Sequence, residues 1–180
     1  MKKLLVFVGE SGSGKTTIVA ELVKRYPARF RKVVTRTSRP MRPGEVDGED
    51  YHFLPVEYFH HNQDLVLVKR TTLGDYYGTR KTDLYPDTCH LLLTSGLTGI
   101  PILVDLGFGN IVVVHISISK ELKIAQMRQR GDTEEMILDH LESDAATTVD
   151  VSLGEVPVIN LDAKQTIDEK VEAILGRVVD

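Results

Sequence analysis

Three features of this 180-residue chain predict an α/β fold, a three-layer core built on a parallel sheet. A short apolar run opens into a glycine-rich loop and a helix; later apolar runs are spaced as buried strands; the last helix is amphipathic. The first run, Leu4-Leu5-Val6-Phe7-Val8, follows Met1-Lys2-Lys3 and so imitates the start of a secretory signal peptide. It ends at once in Gly9-Glu10-Ser11-Gly12-Ser13-Gly14-Lys15 with no small-residue cleavage site, and it therefore reads as a buried strand. Ile18, Val19, Leu22 and Val23 then recur at helical spacing from about Lys15 to Tyr26, where Pro27 stops the helix.

Tyr51-His52-Phe53 and Leu65-Val66-Leu67-Val68 read as short strands, Leu91-Leu92-Leu93 as a buried one, and Ile111 to Ile116 as the clearest buried strand. Asp105 precedes that strand too closely for 100–106 to be a parallel neighbour, which needs a crossover of about a dozen residues. That stretch is expected to be helix, with Asp105 on the surface. Asp132 with Glu135, and Asp162 with Gln165, have capping-box spacing and mark the starts of two later helices. Ile167, Val171, Ile174, Leu175 and Val178 form the apolar face of the last one.

Composition excludes several classes of protein. Hydrophobic residues at 42% and charged residues at 27% suit a globular chain, and no run approaches the roughly 20 apolar residues of a membrane span. Twenty-two basic against 26 acidic residues give a net charge of −4, which argues for neither a nucleic-acid nor a membrane partner. Cys89 is the one cysteine, so no internal disulfide can form and a cytoplasmic location is expected. The six histidines lack metal-ligand spacing with cysteines or carboxylates; His60 and His61 are expected on a solvated helix face and His115 beside the core.

Gly9-Glu10-Ser11-Gly12-Ser13-Gly14-Lys15-Thr16 fits G-x-x-x-x-G-K-[ST] between a predicted strand and a predicted helix. Glycines let successive backbone N–H groups wrap a polyphosphate, the helix N-terminus adds positive potential, and Lys15 reaches the outer phosphates. Residues 9–16, with Thr17, are the expected ATP site, and the Thr16 hydroxyl is the expected Mg²⁺ ligand. Glu10 is unusual beside phosphates; it either points outward or moderates nucleotide affinity.

Arg29, Arg31, Lys32, Arg36, Arg39 and Arg42 then place six positive charges in 14 residues without one carboxylate. A solvated surface accounts for the first three as readily as any function does. For the rest, arginine forks gripping the phosphate of a second substrate are the functional reading.

The stretch Thr35-Arg36-Thr37-Ser38-Arg39-Pro40-Met41-Arg42-Pro43-Gly44-Glu45-Val46-Asp47-Gly48-Glu49-Asp50-Tyr51-His52-Phe53, with Asp75-Tyr76-Tyr77-Gly78-Thr79, closely resembles the GMP-binding segment of guanylate kinases. Arg130-Gly131-Asp132-Thr133-Glu134-Glu135 looks like that family's lid, and Val158-Ile159-Asn160 like its last strand. The resemblance implies one domain over 1–180: a P-loop NTPase core at about 1–34, 81–125 and 151–180, an inserted nucleoside-monophosphate-binding lobe at about 35–80, and a short lid at about 126–150. It further implies that Arg39, Arg42, Tyr51 and Tyr77 hold the acceptor phosphate and that Thr35 and Thr79 reach the base. Lys15, Arg39, Arg128 and Arg130 would stabilise the transferring phosphoryl group, and Asn160 would contact adenine. ATP with Mg²⁺ is the implied donor, a nucleoside monophosphate, GMP or dGMP first, the implied acceptor, and a monomer or homodimer the implied state.

The sequence departs from the family where the base and the metal are read. Val68 stands where relatives carry a guanine-binding Glu, Gly96 and Thr94 replace two further acids, and His140 replaces a lid-helix arginine. A charged hydrogen bond is worth roughly 1.5–3 kcal/mol, so losing two base-reading acids lowers guanine preference by roughly 10- to 10⁴-fold. Two other functions stay open: a kinase for another small phosphorylated acceptor, and a non-catalytic guanylate-kinase-like module. Such modules typically degrade the phosphate loop, which is intact here.

Overall fold

The computed structural model describes residues 2–71, 74–85, 88–129, 131–147 and 153–178. They fall into two compact units, Met1–Lys32 with Pro86–Asp180, and Val33–Tyr85.

The first unit is built on a parallel sheet of five strands: β1 (Leu4–Val8), β2 (Phe30–Lys32), β7 (His90–Thr94), β8 (Ile111–Ser117) and β9 (Val158–Asp162), in the order β2-β7-β1-β8-β9. β1 lies in the middle, with Leu4 to Phe7 in register with Leu91 to Thr94 on one side and Leu4 to Val8 with Ile111 to His115 on the other. No β1 residue is more than 1% exposed, which accounts for the unbroken apolar run: a strand covered on both faces has no polar positions to spare. On one face Leu5, Phe7, Leu92, Val112 and Val114 share a core with Ile18, Val19 and Leu22 of α1 (Lys15–Arg25) and Val171 and Ile174 of α6 (Ile167–Leu175). Leu4, Val6, Leu91, Leu93 and Val113 point to the opposite face and are equally buried, as are Ile100 and Leu103 of α3 (Gly99–Asp105), Met127 of α4 (Lys120–Gln129) and Ile137 of α5 (Glu134–Thr147). The chain leaves β1 toward β2 on one side, and the later connection from β7 reaches β8 on the other, so the carboxyl end of β1 lies at the switch point where α/β sheets bind ligands.

The second unit carries β3 (Arg36–Thr37), β4 (His52–Phe53), α2 (Val56–His61), β5 (Leu65–Arg70), β6 (Tyr76–Arg80) and a 3₁₀ turn at Lys81–Leu84. Its sheet runs β4-β3-β6-β5, with β3 parallel to β4 and antiparallel to β6. β5 pairs with β6 through a register shift between Val66 and Lys69, where Leu67 takes a φ of 55°, the one positive value at a non-glycine among the described residues. Arg36 is buried here by an ion pair with Asp83 and a bond to the Val34 carbonyl, so it packs within the unit.

The expected strands and the α3 helix are present, and Asp105 is exposed as its helical assignment requires. Both helix starts set by acidic residues need correction. α6 begins after Thr166, whose hydroxyl accepts from the Glu169 N–H while the Glu169 carboxylate accepts from the Thr166 N–H. Asp162 and Gln165 do bond each other, through the Asp162 N–H and Gln165 Oε1 at 2.8 Å, but within the turn that leaves β9. Asp132 is buried, its N–H donating to the Met127 carbonyl at 3.1 Å, and it is the Thr133 hydroxyl that accepts from the Met136 N–H at the start of α5. In the last helix Ile167, its first residue, is exposed at 38%, while Val171 and Ile174 are buried as expected.

Replacing Thr166 with Ala removes one side of the α6 box and is expected to cost about 1 kcal/mol, lowering the thermal midpoint by about 2–4 °C. A midpoint within experimental error of the parent's in a calorimetric scan would show that α6 does not depend on this cap.

Candidate functional site

β1 ends at Val8 and the chain turns through residues 9–14 into α1. Gly9, Gly12 and Gly14 have φ values of 145°, 77° and 90°, which residues with a Cβ rarely adopt. At Gly9 the neighbours are as demanding as the backbone, because a Cβ there would sit 2.4 Å from the Ile116 carbonyl oxygen of β8. Gly14 is the N-cap of α1, and among the described residues no acidic side chain lies in the first turn and no side chain caps it. The helix therefore presents its first N–H groups and their positive potential to the loop.

Lys15 folds over that loop. Its ammonium donates to the Gly9 carbonyl at 2.6 Å and the Glu10 carbonyl at 2.7 Å, with Ser13 Oγ at 3.5 Å. Ser13 is buried, while Thr16 and Thr17 are exposed on the first turn of α1. Three consecutive loop residues also meet the two helices that follow β8. Glu10 Oε2 accepts from Lys123 Nζ of α4 at 2.9 Å, and Ser11 Oγ lies 3.0 Å from His140 Nδ1 of α5. A Cβ on Gly12 would stand 3.3 Å from the Lys123 carbonyl oxygen and 3.4 Å from Met127 Cγ.

The expected lid residues are separately placed. Arg128, on the last turn of α4, pairs with Glu134 at 2.8 Å on an exposed surface, which holds the Glu134 carboxyl below its ordinary range. Arg130 lies outside the described residues. Asn160 is exposed on β9.

In the second unit Arg39 is 7% exposed and gripped in a fork: Nη1 donates to Glu45 Oε2 at 2.8 Å and Nη2 to Oε1 at 2.5 Å. Glu45 Oε2 also accepts from the Arg42 N–H at 2.7 Å, so one carboxylate fixes both arginines' local geometry. The Arg39 guanidinium lies 5.2 Å from the Tyr51 ring centroid and 5.5 Å from that of Phe53, and its buried Nε–H has no hydrogen-bond partner among the described residues. Tyr51 meets Tyr77 edge-on at 5.9 Å, and burial followed by the neighbouring Tyr77 pushes the Tyr51 phenol up. Thr35 and Thr79 are both buried. Arg39, Arg42, Tyr51 and Tyr77 thus form one cluster, whereas Arg29 belongs to the other unit and is used structurally, donating to the Val178 carbonyl at 2.9 Å.

Val68 is 47% exposed on β5 beside the irregularity at Leu67, and Thr94 ends β7. Neither supplies a charge. Mg²⁺ is compatible with what remains, because it needs near-octahedral oxygen ligands and is usually held through nucleotide phosphates and water with few protein groups, and the Thr16 hydroxyl is exposed. Two features were missed at the level of sequence, Lys123 as a buried partner of the loop and Glu45 as the clamp on Arg39. The first carried a signal: Lys123 and Met127 stand four apart on α4, on the same buried face.

A glycine loop leaving the central strand of a parallel sheet and entering a helix N-terminus, with a lysine over it, defines the P-loop NTPase fold. Residues 1–88 match the family model described as Guanylate kinase. The chain is 36% identical to the guanylate kinase of Gloeobacter violaceus over 69% of its length and 52% of that protein's, and 30% identical to that of Rhodopirellula baltica over 97% and 88%. The crystal structure of guanylate kinase from Anaplasma phagocytophilum superposes with a TM-score of 0.66 at 19% identity, covering 98% of this chain and 84% of the other, and shares the fold. The chain belongs to the guanylate kinase family.

Burial alone would raise the Glu45 carboxyl, but the bonds from Arg39 and the Arg42 N–H outweigh it and the group is held below its ordinary 4.5. A depressed carboxyl contributes stability that is complete above the unfolded value and is lost as pH falls through the folded one. Glu45→Gln is therefore expected to be less stable than the parent in urea at about pH 7, with the gap closing as pH falls below the carboxyl's ordinary 4.5. A gap that stays constant across that range would contradict the clamp.

Proposed function

We propose that this chain transfers the terminal phosphoryl group of ATP to a nucleoside monophosphate, GMP or dGMP first, giving the diphosphate and ADP. The observation that carries this reading is the loop at 9–16, complete in sequence and backbone geometry, in a member of a family whose relatives are named guanylate kinases. A module that merely binds a phosphorylated partner has no need of Lys15 or of the glycine at each turn.

Loop N–H groups and Lys15 hold the donor phosphates, with Thr16 as a ligand to the Mg²⁺ that ATP brings, Thr17 on the same turn and Asn160 toward the adenine. The bound ion supplies charge neutralisation. In the second unit Arg39 and Arg42 take the acceptor phosphate, Tyr51 and Tyr77 shape its seat, and Thr35 and Thr79 face the base. The Arg39 Nε–H, buried without an acceptor among the described residues, is a donor that a phosphate oxygen would satisfy. Arg128 and Arg130 act on the moving phosphoryl group, Arg128 after release from its weak, exposed pair with Glu134. No protein nucleophile is required, since such transfer depends on positioning and electrostatic stabilisation. The lobe at 35–80 and the lid at 126–150 carry these roles, the chain acts as a monomer or homodimer, and the cytoplasm is its compartment. No described helix is long and apolar enough to cross a membrane.

Base choice is where this chain differs. Val68 cannot accept from guanine, so discrimination between GMP and AMP should fall by roughly 10- to 10⁴-fold from that of a relative with both acids. ADP formation from Mg-ATP against GMP, dGMP, AMP, CMP, UMP and dTMP tests this. Transfer to GMP or dGMP, weakened selectivity, and loss in Lys15→Ala and Arg39→Ala are expected. Strict guanine selectivity would contradict the altered base site, and transfer to none of the six would overturn the proposed reaction.

A further inference from the structure

A carboxylate in the second position of a phosphate-binding loop opposes the loop's purpose, and the structure shows what offsets it. We propose that Lys123 of α4 is a positioning residue of the phosphate loop, a buried counter-ion that holds the Glu10 carboxylate against α4 and cancels its charge. This rests on the reading of residues 9–16 as the nucleotide site.

Lys123 is 1% exposed, and its Nζ donates to Glu10 Oε2 at 2.9 Å, while Glu10 itself is 49% exposed. The asymmetry assigns the roles. An ammonium taken out of water is tolerated only with a partner, so Lys123 is committed to its bonds, whereas a half-exposed glutamate would otherwise be free to swing. The same helix presses on the loop through the Lys123 carbonyl and Met127 at Gly12. Charge and contact thus come from one turn of α4, and the Glu10 side chain is fixed on that side of the loop.

Two roles for the pair make different predictions. If it only braces α4 against the loop, breaking it from either end has the same effect, and removing both ends is no better than removing one. If Lys123 is a counter-ion, the harm comes from the bare carboxylate next to a polyphosphate, and deleting that carboxylate as well removes the harm. The measurement is calorimetric titration of ADP into the full chain and into Glu10→Gln, Lys123→Met and the double variant. Methionine matches the length of the lysine stem and suits a buried helical site.

Lys123→Met is expected to bind ADP about 10-fold or more weakly, and the double variant to return within about threefold of the parent. Glu10→Gln alone should bind at least as tightly as the parent. A double variant as weak as Lys123→Met, or a Lys123→Met chain that binds like the parent, would overturn the inference. Should Lys123→Met fail to fold, Glu10→Gln decides by itself: weaker binding overturns the counter-ion role, and equal or tighter binding that loses its advantage at high salt supports it. ADP binding is read without any acceptor, so these outcomes do not depend on which monophosphate is phosphorylated. A folded parent chain that binds no ADP would overturn both this inference and the nucleotide site beneath it.

Discussion

The close approach of the Gly9 backbone to the Ile116 carbonyl is the constraint on which the nucleotide end of the molecule depends. β1 and β8 are parallel neighbours, and the chain leaving β1 must turn upward past the end of β8 without a side chain in the way. Once that turn is made, Gly12 comes against α4, Gly14 opens α1, and Lys15 lies across the carbonyls of the turn. The full burial of β1 makes the arrangement rigid, because neither neighbouring strand can shift without disturbing a core packed on both faces.

The second unit solves a different problem by different means. Its apolar core is small, with Val33, Phe59 and Leu84 the buried hydrophobics among the described residues, and it relies on charged groups held in place: Arg36 by Asp83, Arg39 by Glu45 and two aromatic rings. An arginine that is buried, forked and stacked has lost most of its rotamer freedom before any ligand arrives, so the entropy of fixing it is already spent in folding. On the proposed reading, Arg39, Arg42, Tyr51 and Tyr77 serve phosphate recognition while the exposed, apolar Val68 offers the base no acceptor.

Much of this was legible in the residues. Apolar runs at Leu4–Val8 and Ile111–Ile116 read as buried strands, and the spacing of Asp105 to Ile111 pointed to a helix at 100–106, which the fold places at Gly99–Asp105. Helix starts were less legible, because several Ser, Thr and Asp residues stand near each one and only the tertiary fit selects Thr166 over Asp162. Ion pairs across the fold were least legible. Glu10 and Lys123 are 113 residues apart, and the spacing of Lys123 to Met127 hints at a buried face of α4 without naming the partner. Charge density alone pointed to a second phosphate site among Arg36, Arg39 and Arg42, and the resemblance to guanylate kinases added Tyr51 and Tyr77 to the proposed acceptor residues.

The account turns on the loop backbone as the grip on nucleotide, and ADP titration of Gly9→Ala tests that most directly. A Cβ at this position must displace the Ile116 carbonyl or the turn itself, at a cost of roughly 1–3 kcal/mol, which predicts ADP binding weakened roughly 10- to 100-fold in a chain that still unfolds cooperatively. Binding as tight as the parent's in the folded variant would contradict the claim that the path of residues 9–14 sets the site.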